Sequence, residues 1–135
     1  MIDYHVHTNY SADASATVTG QLEAAAERGL SEICFTDHVD FDNGDKSMQP
    51  SDLGALREQL LPYNGLYKGV RIRRGAEVAL NDGNCAEKAR QYIAPHDLDF
   101  VIGSIHVVDG LSGILHRKNK TGCIPFLPSD DSHRY

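Results

Sequence analysis

The chain has 135 residues, 41% of them apolar, and a formal net charge of −6 at pH 7, which fits one globular domain rather than a disordered chain. No apolar run approaches the roughly 18 residues of a membrane span and no secretory leader opens the chain, so we expect a cytoplasmic protein without a membrane partner. The acidic charge and the lack of a basic, aromatic-rich face argue against a nucleic-acid partner. The three cysteines are an odd number and form no CxxC pair, which argues against a disulfide framework and a zinc ribbon, and we expect Cys34 and Cys85 to be buried apolar residues.

Hydrophobic periodicity predicts strands and helices in strict alternation. The predicted strands are residues 1–6, 31–36, 70–80 and 98–108. The predicted helices are residues 18–30, 52–64 and 84–95, with Thr19, Ser51 and Asn84 as their candidate N-caps. This order favours an α/β fold with parallel strands joined by right-handed crossovers. The fourth strand is an apolar run without alternation, which is typical of a strand covered on both faces.

The pattern changes near residue 110. Residues 1–110 hold the strand–helix units, whereas residues 111–135 show no clear helix and end in a cluster of acidic residues and a histidine. We therefore divide the chain into a βα domain and an irregular C-terminal tail.

Ligand-type residues stand at the ends of four successive predicted strands. These residues are His5 and His7, Asp37 and His38, Glu77, and His106. The carboxyl ends of parallel strands meet at one edge of the sheet, where α/β proteins carry their working residues. Side chains alternate along a strand, so His5 and His7 project from the same side. One histidine at a strand end is more often a structural residue, but four such ends in a row favour a metal site, and nitrogen and oxygen ligands without cysteine suit zinc, manganese or iron.

The segments "DYHVHTNYSADAS", "GLSEICFTDH", "RRGAEV" and "DFVIGSIHVVDG" resemble the successive motifs of the PHP (polymerase and histidinol phosphatase) superfamily. The resemblance is closest to the histidinol-phosphatase branch and covers residues 1 to about 110. It implies a partial, distorted β/α barrel of about four βα units with two to three divalent metal ions, zinc, manganese or iron. It also implies a small phosphorylated substrate, L-histidinol phosphate, hydrolysed to L-histidinol in histidine biosynthesis.

The resemblance also implies roles for individual residues. The implied metal ligands are His5, His7, Asp13, His38, Glu77, His106, Asp131 and His133. Glu77 would bridge two ions, and Asp37 would orient the neighbouring ligand. The catalytic candidates are Glu77, His38 and Asp131.

A complete β/α barrel needs about 250 residues, and this chain has roughly half of that length. Relatives place a further metal-binding histidine between the positions of His106 and Asp131, where this sequence offers His116 in a different context. Two alternatives therefore stay open: a PHP-type phosphodiesterase or nuclease, and an inactive metal-binding remnant of a longer enzyme. A half barrel leaves an open sheet edge, so we expect the folded chain to form a homo-oligomer.

Overall fold

The structure is a computed structural model that describes residues 1–41, 49–81, 83–105, 107–108 and 111–112. In these ranges three α-helices separate single strands or groups of two or three strands, rather than alternating strictly with single strands as predicted. The strands are β1 (Ile2–Val6), β2 (Glu32–Phe35), β3 (His38–Val39), β4 (Leu66–Tyr67), β5 (Val70–Ala79), β6 (Phe100–Ser104), β7 (Val107–Val108) and β8 (Leu111–Ser112). The helices are α1 (Val18–Glu27), α2 (Leu53–Leu60) and α3 (Gly83–Ile93). Within these ranges, no helix combines the length and the apolar character that crossing a membrane requires.

β5 is the central strand of the main sheet. Its first half pairs in parallel with β2, which in turn pairs in parallel with β1. Its second half lies between β3 and β6, and both of these pairings are parallel. β4 adds an antiparallel pairing at the start of β5, and β7 and β8 form a separate antiparallel pair. The predicted α/β fold with parallel strands is confirmed, while the short strands β3, β4, β7 and β8 were not predicted as separate elements.

The sheet is curled into a half-barrel. β1 and β6 lie at opposite edges of the sheet, yet the rings of Tyr4 on β1 and Phe100 on β6 meet edge to face with their centroids 5.1 Å apart. Phe100 pairs in register with Gly75, so it lies on the same face of the sheet as Gly75 and Glu77. We call this face the concave face. The partial barrel predicted from the sequence is therefore confirmed.

The helices cover the opposite, convex face. On β5 this face carries Val70, Ile72, Ala76 and Val78, which are buried in one cluster with apolar residues of all three helices, such as Leu22 of α1. Full burial of a Val, Leu or Ile side chain contributes about 1.5–3 kcal/mol to the free energy of unfolding. This packing fixes which side chains of β5 point to the concave face, because neighbours along a strand alternate.

The helix caps differ from those predicted. Thr17, not Thr19, caps α1 by accepting a hydrogen bond from the backbone N–H of Gly20 at 3.1 Å. Asp52, not Ser51, caps α2 by accepting one from Ala55 at 2.8 Å. Asn84 lies inside α3 rather than before it. In each corrected cap the oxygen lies three residues before the N–H that it satisfies, which is the standard N-cap geometry.

β6 lies at an edge of the main sheet, and its two faces are more exposed than predicted. Phe100 is 38% exposed and Val101, which points to the opposite face, is 43% exposed. The prediction that Cys34 and Cys85 are buried is confirmed. Burial raises the pKa of the Cys34 thiol to about 12, so this cysteine is protonated and unreactive at neutral pH.

Candidate metal centre

Three strands deliver polar side chains to one end of the half-barrel. His38 on β3 lies directly opposite Glu77 on β5 in the parallel register. The pairing of β1 with β2 shifts register between Asp3 and Val6, and such irregularities re-aim side chains at the rims of barrels. His5 and His7 both reach Glu77 from this segment.

One carboxylate oxygen of Glu77 lies at the centre of three imidazole rings. Glu77 Oε2 is 3.1 Å from His5 Nε2, 3.0 Å from His7 Nε2 and 3.4 Å from His38 Nδ1. The Glu77 side chain is 5% exposed, whereas that of His5 is 55% exposed. The centre is therefore buried at Glu77 and open to solvent at His5.

Asp13 approaches the same cluster from the loop that follows β1. Its Oδ2 atom lies 3.3 Å from His7 Nδ1 and 3.3 Å from His38 Nε2. His7 thus faces Glu77 with one ring nitrogen and Asp13 with the other. The backbone before this loop is held by Gln21 of α1, whose Nε2 donates a hydrogen bond of 2.9 Å to the carbonyl oxygen of His7.

The charges of the cluster shift its pKa values in a consistent way. The Glu77 carboxylate raises the pKa of His7 above its usual value of 6.5, against the opposing effect of burial. Burial lowers the pKa of His38, but the carboxylates of Asp40 and Glu77 more than offset it, so that the pKa is raised. Burial raises the pKa of Asp13, but His38 and His7 outweigh it and the net shift is downward. The cluster therefore attracts positive charge, either protons or a metal cation.

The donor atoms have the spacing and chemistry of metal ligands. Tetrahedral zinc ligands about 2.0–2.1 Å from the ion lie about 3.3 Å from one another, and the three distances to Glu77 Oε2 span 3.0–3.4 Å. The buried Nε2 atom of His7 has no aligned hydrogen-bond partner among the described residues. A cation between these atoms would satisfy this nitrogen, so the residues present fit a metal ion.

Two groups of side chains could hold an ion. The first, which we call the Glu77 group, consists of His5, His7 and Glu77. The second, which we call the Asp13 group, consists of His7, Asp13 and His38. Within each group the ligand atoms lie within 4.8 Å of one another, and His7 belongs to both.

The structure brings together five of the residues that the sequence singled out: His5, His7, Asp13, His38 and Glu77. The other predicted ligands, His106, Asp131 and His133, lie outside the described residues, as does His116. Asp37 belongs to neither group, and its carboxylate instead accepts hydrogen bonds from Thr8 and Ser11.

Asp40 is a member of the cluster that was not predicted. Its Oδ2 atom lies 3.5 Å from His38 Nδ1, and the residue is 3% exposed. The sequence contained a signal for it, because Asp40 follows His38 by two positions along an extended segment, the same spacing that relates His5 to His7. A carboxylate beside a metal-ligating imidazole typically fixes the orientation of the ring.

Comparison with known proteins places these features in a family. Residues 3–125 match the family described as the PHP domain. The chain belongs to the PHP family.

Proteins similar to this PHP chain include several that are named as phosphatases. The histidinol-phosphatase of Lactococcus lactis is 31% identical over 110 residues, covering 79% of this chain and 39% of that protein. A probable phosphatase of Vibrio cholerae is 31% identical over 105 residues, covering 78% of this chain and 40% of that protein. The chain thus spans about 40% of the length of these relatives.

A solved PHP structure has the same fold. The crystal structure of histidinol phosphate phosphatase from Lactococcus lactis, complexed with zinc, L-histidinol and phosphate, superimposes with a TM-score of 0.66 at 28% identity. The match covers 82% of this chain and 42% of that one. The described part of the chain is therefore a curled half-barrel of the same fold.

Proposed function

We propose that this PHP chain is a metal-dependent hydrolase of phosphate monoesters with a histidinol-phosphatase-like activity, converting L-histidinol phosphate to L-histidinol in the cytoplasm. The convergence of three imidazoles on Glu77 Oε2 within 3.0–3.4 Å carries the proposal. Relatives named histidinol-phosphatase support the choice of substrate. The cofactor would be two to three divalent ions of zinc, manganese or iron, and His106, Asp131 and His133 would contribute further ligands.

The protein's own residues prepare the site for this reaction. When bound, divalent ions lower the pKa of coordinated water toward about 7 and stabilise negative charge on the phosphoryl group. Glu77 and Asp13 supply the anionic oxygens and the three histidines the neutral nitrogens that such ions require. Burial of Glu77 keeps water away from one side of the cluster, which strengthens its electrostatic interactions.

Substrate would approach from the exposed side of the centre. A cavity of about 380 Å³ opens beside His5 and His7 and is also lined by Asp3, Val6, Ala14 and Gln21. Small-molecule sites commonly measure about 300–1,000 Å³, so the space suits a phosphorylated amino alcohol. His38 or Asp131 would donate the proton that the leaving alcohol needs.

The test is phosphate release from three esters by the purified chain supplied with zinc or manganese. L-histidinol phosphate and p-nitrophenyl phosphate are the monoesters, and bis(p-nitrophenyl) phosphate is the diester. We expect metal-dependent hydrolysis of the monoesters, fastest with L-histidinol phosphate, and its loss in Glu77→Gln. The control Glu87→Gln changes an exposed glutamate of α3 that pairs with Arg90 and should retain activity.

Two results would redirect the proposal. Preferential cleavage of the diester would indicate the phosphodiesterase alternative. Bound metal without hydrolysis of any ester would indicate the inactive metal-binding remnant.

A further inference from the structure

The loop between β1 and α1 is fastened to the start of β3 by a buried polar cluster of Thr8, Ser11 and Asp37. All three residues are 3% exposed or less. Asp37 Oδ1 accepts hydrogen bonds from the backbone N–H of Thr8 and the hydroxyl of Ser11, both at 2.7 Å. Its Oδ2 atom accepts one from the Thr8 hydroxyl at 2.9 Å. We call these three residues the clamp.

Through Ser11, the clamp contacts two segments that carry ligands of the Asp13 group, the start of β3 with His38 and the loop with Asp13. Ser11 Oγ accepts a hydrogen bond of 3.0 Å from the backbone N–H of His38, which sets the position of that strand end. Ser11 also begins the turn that carries Asp13, since the N–H of Ala14 donates to the carbonyl oxygen of Ser11 at 3.3 Å. One serine therefore links the backbone of His38 to the loop of Asp13.

The Glu77 group does not depend on these bonds in the same way. Glu77 is held in the middle of the sheet by the pairing of β5 with β3 and β6. His5 lies on β1. The backbone N–H of the next residue, Val6, donates a hydrogen bond of 3.1 Å to the hydroxyl of Thr36. Strand pairing thus positions Glu77 and His38, whereas the loop that carries Asp13 is held by the side-chain hydrogen bonds of the clamp.

We propose that Ser11, which joins Asp37 to the backbone of His38, is a positioning residue that sets the metal affinity of the Asp13 group and leaves that of the Glu77 group largely unchanged. This inference rests on the proposed function, because it requires that both groups bind divalent ions. Charged hydrogen bonds in a buried site are strong and geometrically restrictive. Loss of an outer hydrogen-bond partner typically weakens metal binding about 10–100-fold.

The test is zinc binding by the full chain, measured as equivalents of zinc retained at a series of buffered free zinc concentrations. Ser11→Ala removes the hydroxyl that joins Asp37 to His38. We expect its Glu77 group to bind zinc as in the wild type and its Asp13 group to bind about 10–100-fold more weakly. The matched control is Ser31→Ala, which removes a serine hydroxyl hydrogen-bonded at 3.0 Å to the carbonyl of Met1 at the far end of β1, and it should bind zinc as the wild type does.

Asp37→Asn provides the second variant should Ser11→Ala fail to fold. The amide keeps the size of the side chain, but its nitrogen cannot accept the Thr8 hydroxyl, so the Asp13 group should again bind more weakly. Wild-type affinity of the Asp13 group in these variants, or an equal loss at both groups, would overturn the clamp's role. A wild-type chain that binds only one zinc ion would overturn it too, whereas one that binds none would also contradict the proposed metal-dependent hydrolase.

Discussion

His7 Nε2 and Glu77 Oε2 lie 3.0 Å apart in a site where both atoms are largely shielded from solvent. A neutral imidazole nitrogen without its proton and a carboxylate oxygen are both electron-pair donors, so they approach this closely only with a proton or a cation between them. The raised pKa of His7, caused first by the Glu77 carboxylate, expresses the same preference. This pair therefore creates a demand for a proton or a cation between its two atoms.

Replacement of Glu77 tests this demand directly. Glu77→Gln keeps the shape of the side chain but removes the negative charge that all three imidazoles face. Because outer partners alone change metal affinity about 10–100-fold, we expect loss of a direct ligand to weaken zinc binding by more than about 100-fold. Equilibrium dialysis against zinc measures this, with Glu87→Gln as the control. Unchanged zinc binding in Glu77→Gln would exclude Glu77 as a ligand.

Gly75 is required by close packing inside the sheet. A Cβ atom at this position would lie 2.7 Å from the carbonyl oxygen of Phe100, 2.9 Å from Cys34 Sγ and 2.9 Å from Thr36 Cγ2. We expect Gly75→Ala to lower the free energy of unfolding by about 1–3 kcal/mol, the range typical of overpacking. Urea denaturation measures the loss.

A double variant shows which contact is responsible. Adding Cys34→Ala removes the sulfur atom but not the Phe100 carbonyl, so it should restore only part of the stability of Gly75→Ala. Full restoration would mean that the backbone contact is harmless, and a stable Gly75→Ala variant would mean that the sheet can spread at this point. Cys34→Ala alone should leave metal binding intact, since its thiol lies outside both metal groups.

The opposite end of the concave face contains a cluster of charges around Glu32. Glu32 accepts a hydrogen bond from the Tyr4 hydroxyl and pairs with Arg71 at 2.9 Å and Arg73 at 3.4 Å. The Tyr4 hydrogen bond, followed by the two arginines, holds the pKa of Glu32 below its usual value of 4.5 against the effect of desolvation.

This shift predicts how stability depends on pH. A carboxyl with a lowered folded-state pKa stabilises the protein above about pH 4.5, and that stabilisation is lost as pH falls through the folded-state pKa. Glu32→Gln should therefore reduce stability at pH 7 and make the decline toward acid shallower. Urea denaturation of metal-free protein at several pH values checks this, with the exposed Glu58→Gln as a control expected to stay within about 0.5 kcal/mol of the wild type. An acid limb identical to that of the wild type would contradict the role of Glu32.

The outer edge of β6 predicts self-association. Phe100 and Val101 on this strand and Ile105 directly after it are exposed apolar residues, and in the described part of the chain no strand pairs with its outer edge. Exposed apolar edges promote pairing with another chain. We expect light scattering after gel filtration to show a homo-oligomer, and Val101→Lys with Ile105→Lys to shift it toward monomer. A monomeric wild-type chain at high concentration would count against this interface.

The residues that were predictable from sequence are those whose position follows from strand geometry. His5, His7, His38 and Glu77 sit at or near strand ends, and parallel strands bring such ends together without further information. Asp13 lies in a loop, so its role as a ligand beside His38 was implied by the family resemblance and not by periodicity. The hydrogen bonds that join this loop to Asp37 through Thr8 and Ser11 could not be predicted from periodicity either.

Other features were predicted wrongly or missed, either because two residues were nearly equally suitable for one position or because the outcome depended on the rest of the fold. Thr17 and Thr19 are both good caps, and the packing of α1 decides between them. The exposure of β6 was missed because an apolar run looks the same whether a neighbouring element covers it or not. Asp40 was missed because its two-residue spacing from His38 is a weak signal next to a strand that is only two residues long.

The length of β5 has a consequence for how the molecule opens. The ten residues of β5 pair with β2, β3, β4 and β6. β5 therefore cannot leave the main sheet without breaking its hydrogen bonds to all four neighbours. Amide hydrogens of β5 should consequently be among the slowest to exchange with solvent, protected by nearly the full free energy of global unfolding. Glu77 belongs to this strand. The central carboxylate of the candidate metal centre should therefore lie in a part of the fold that opens rarely.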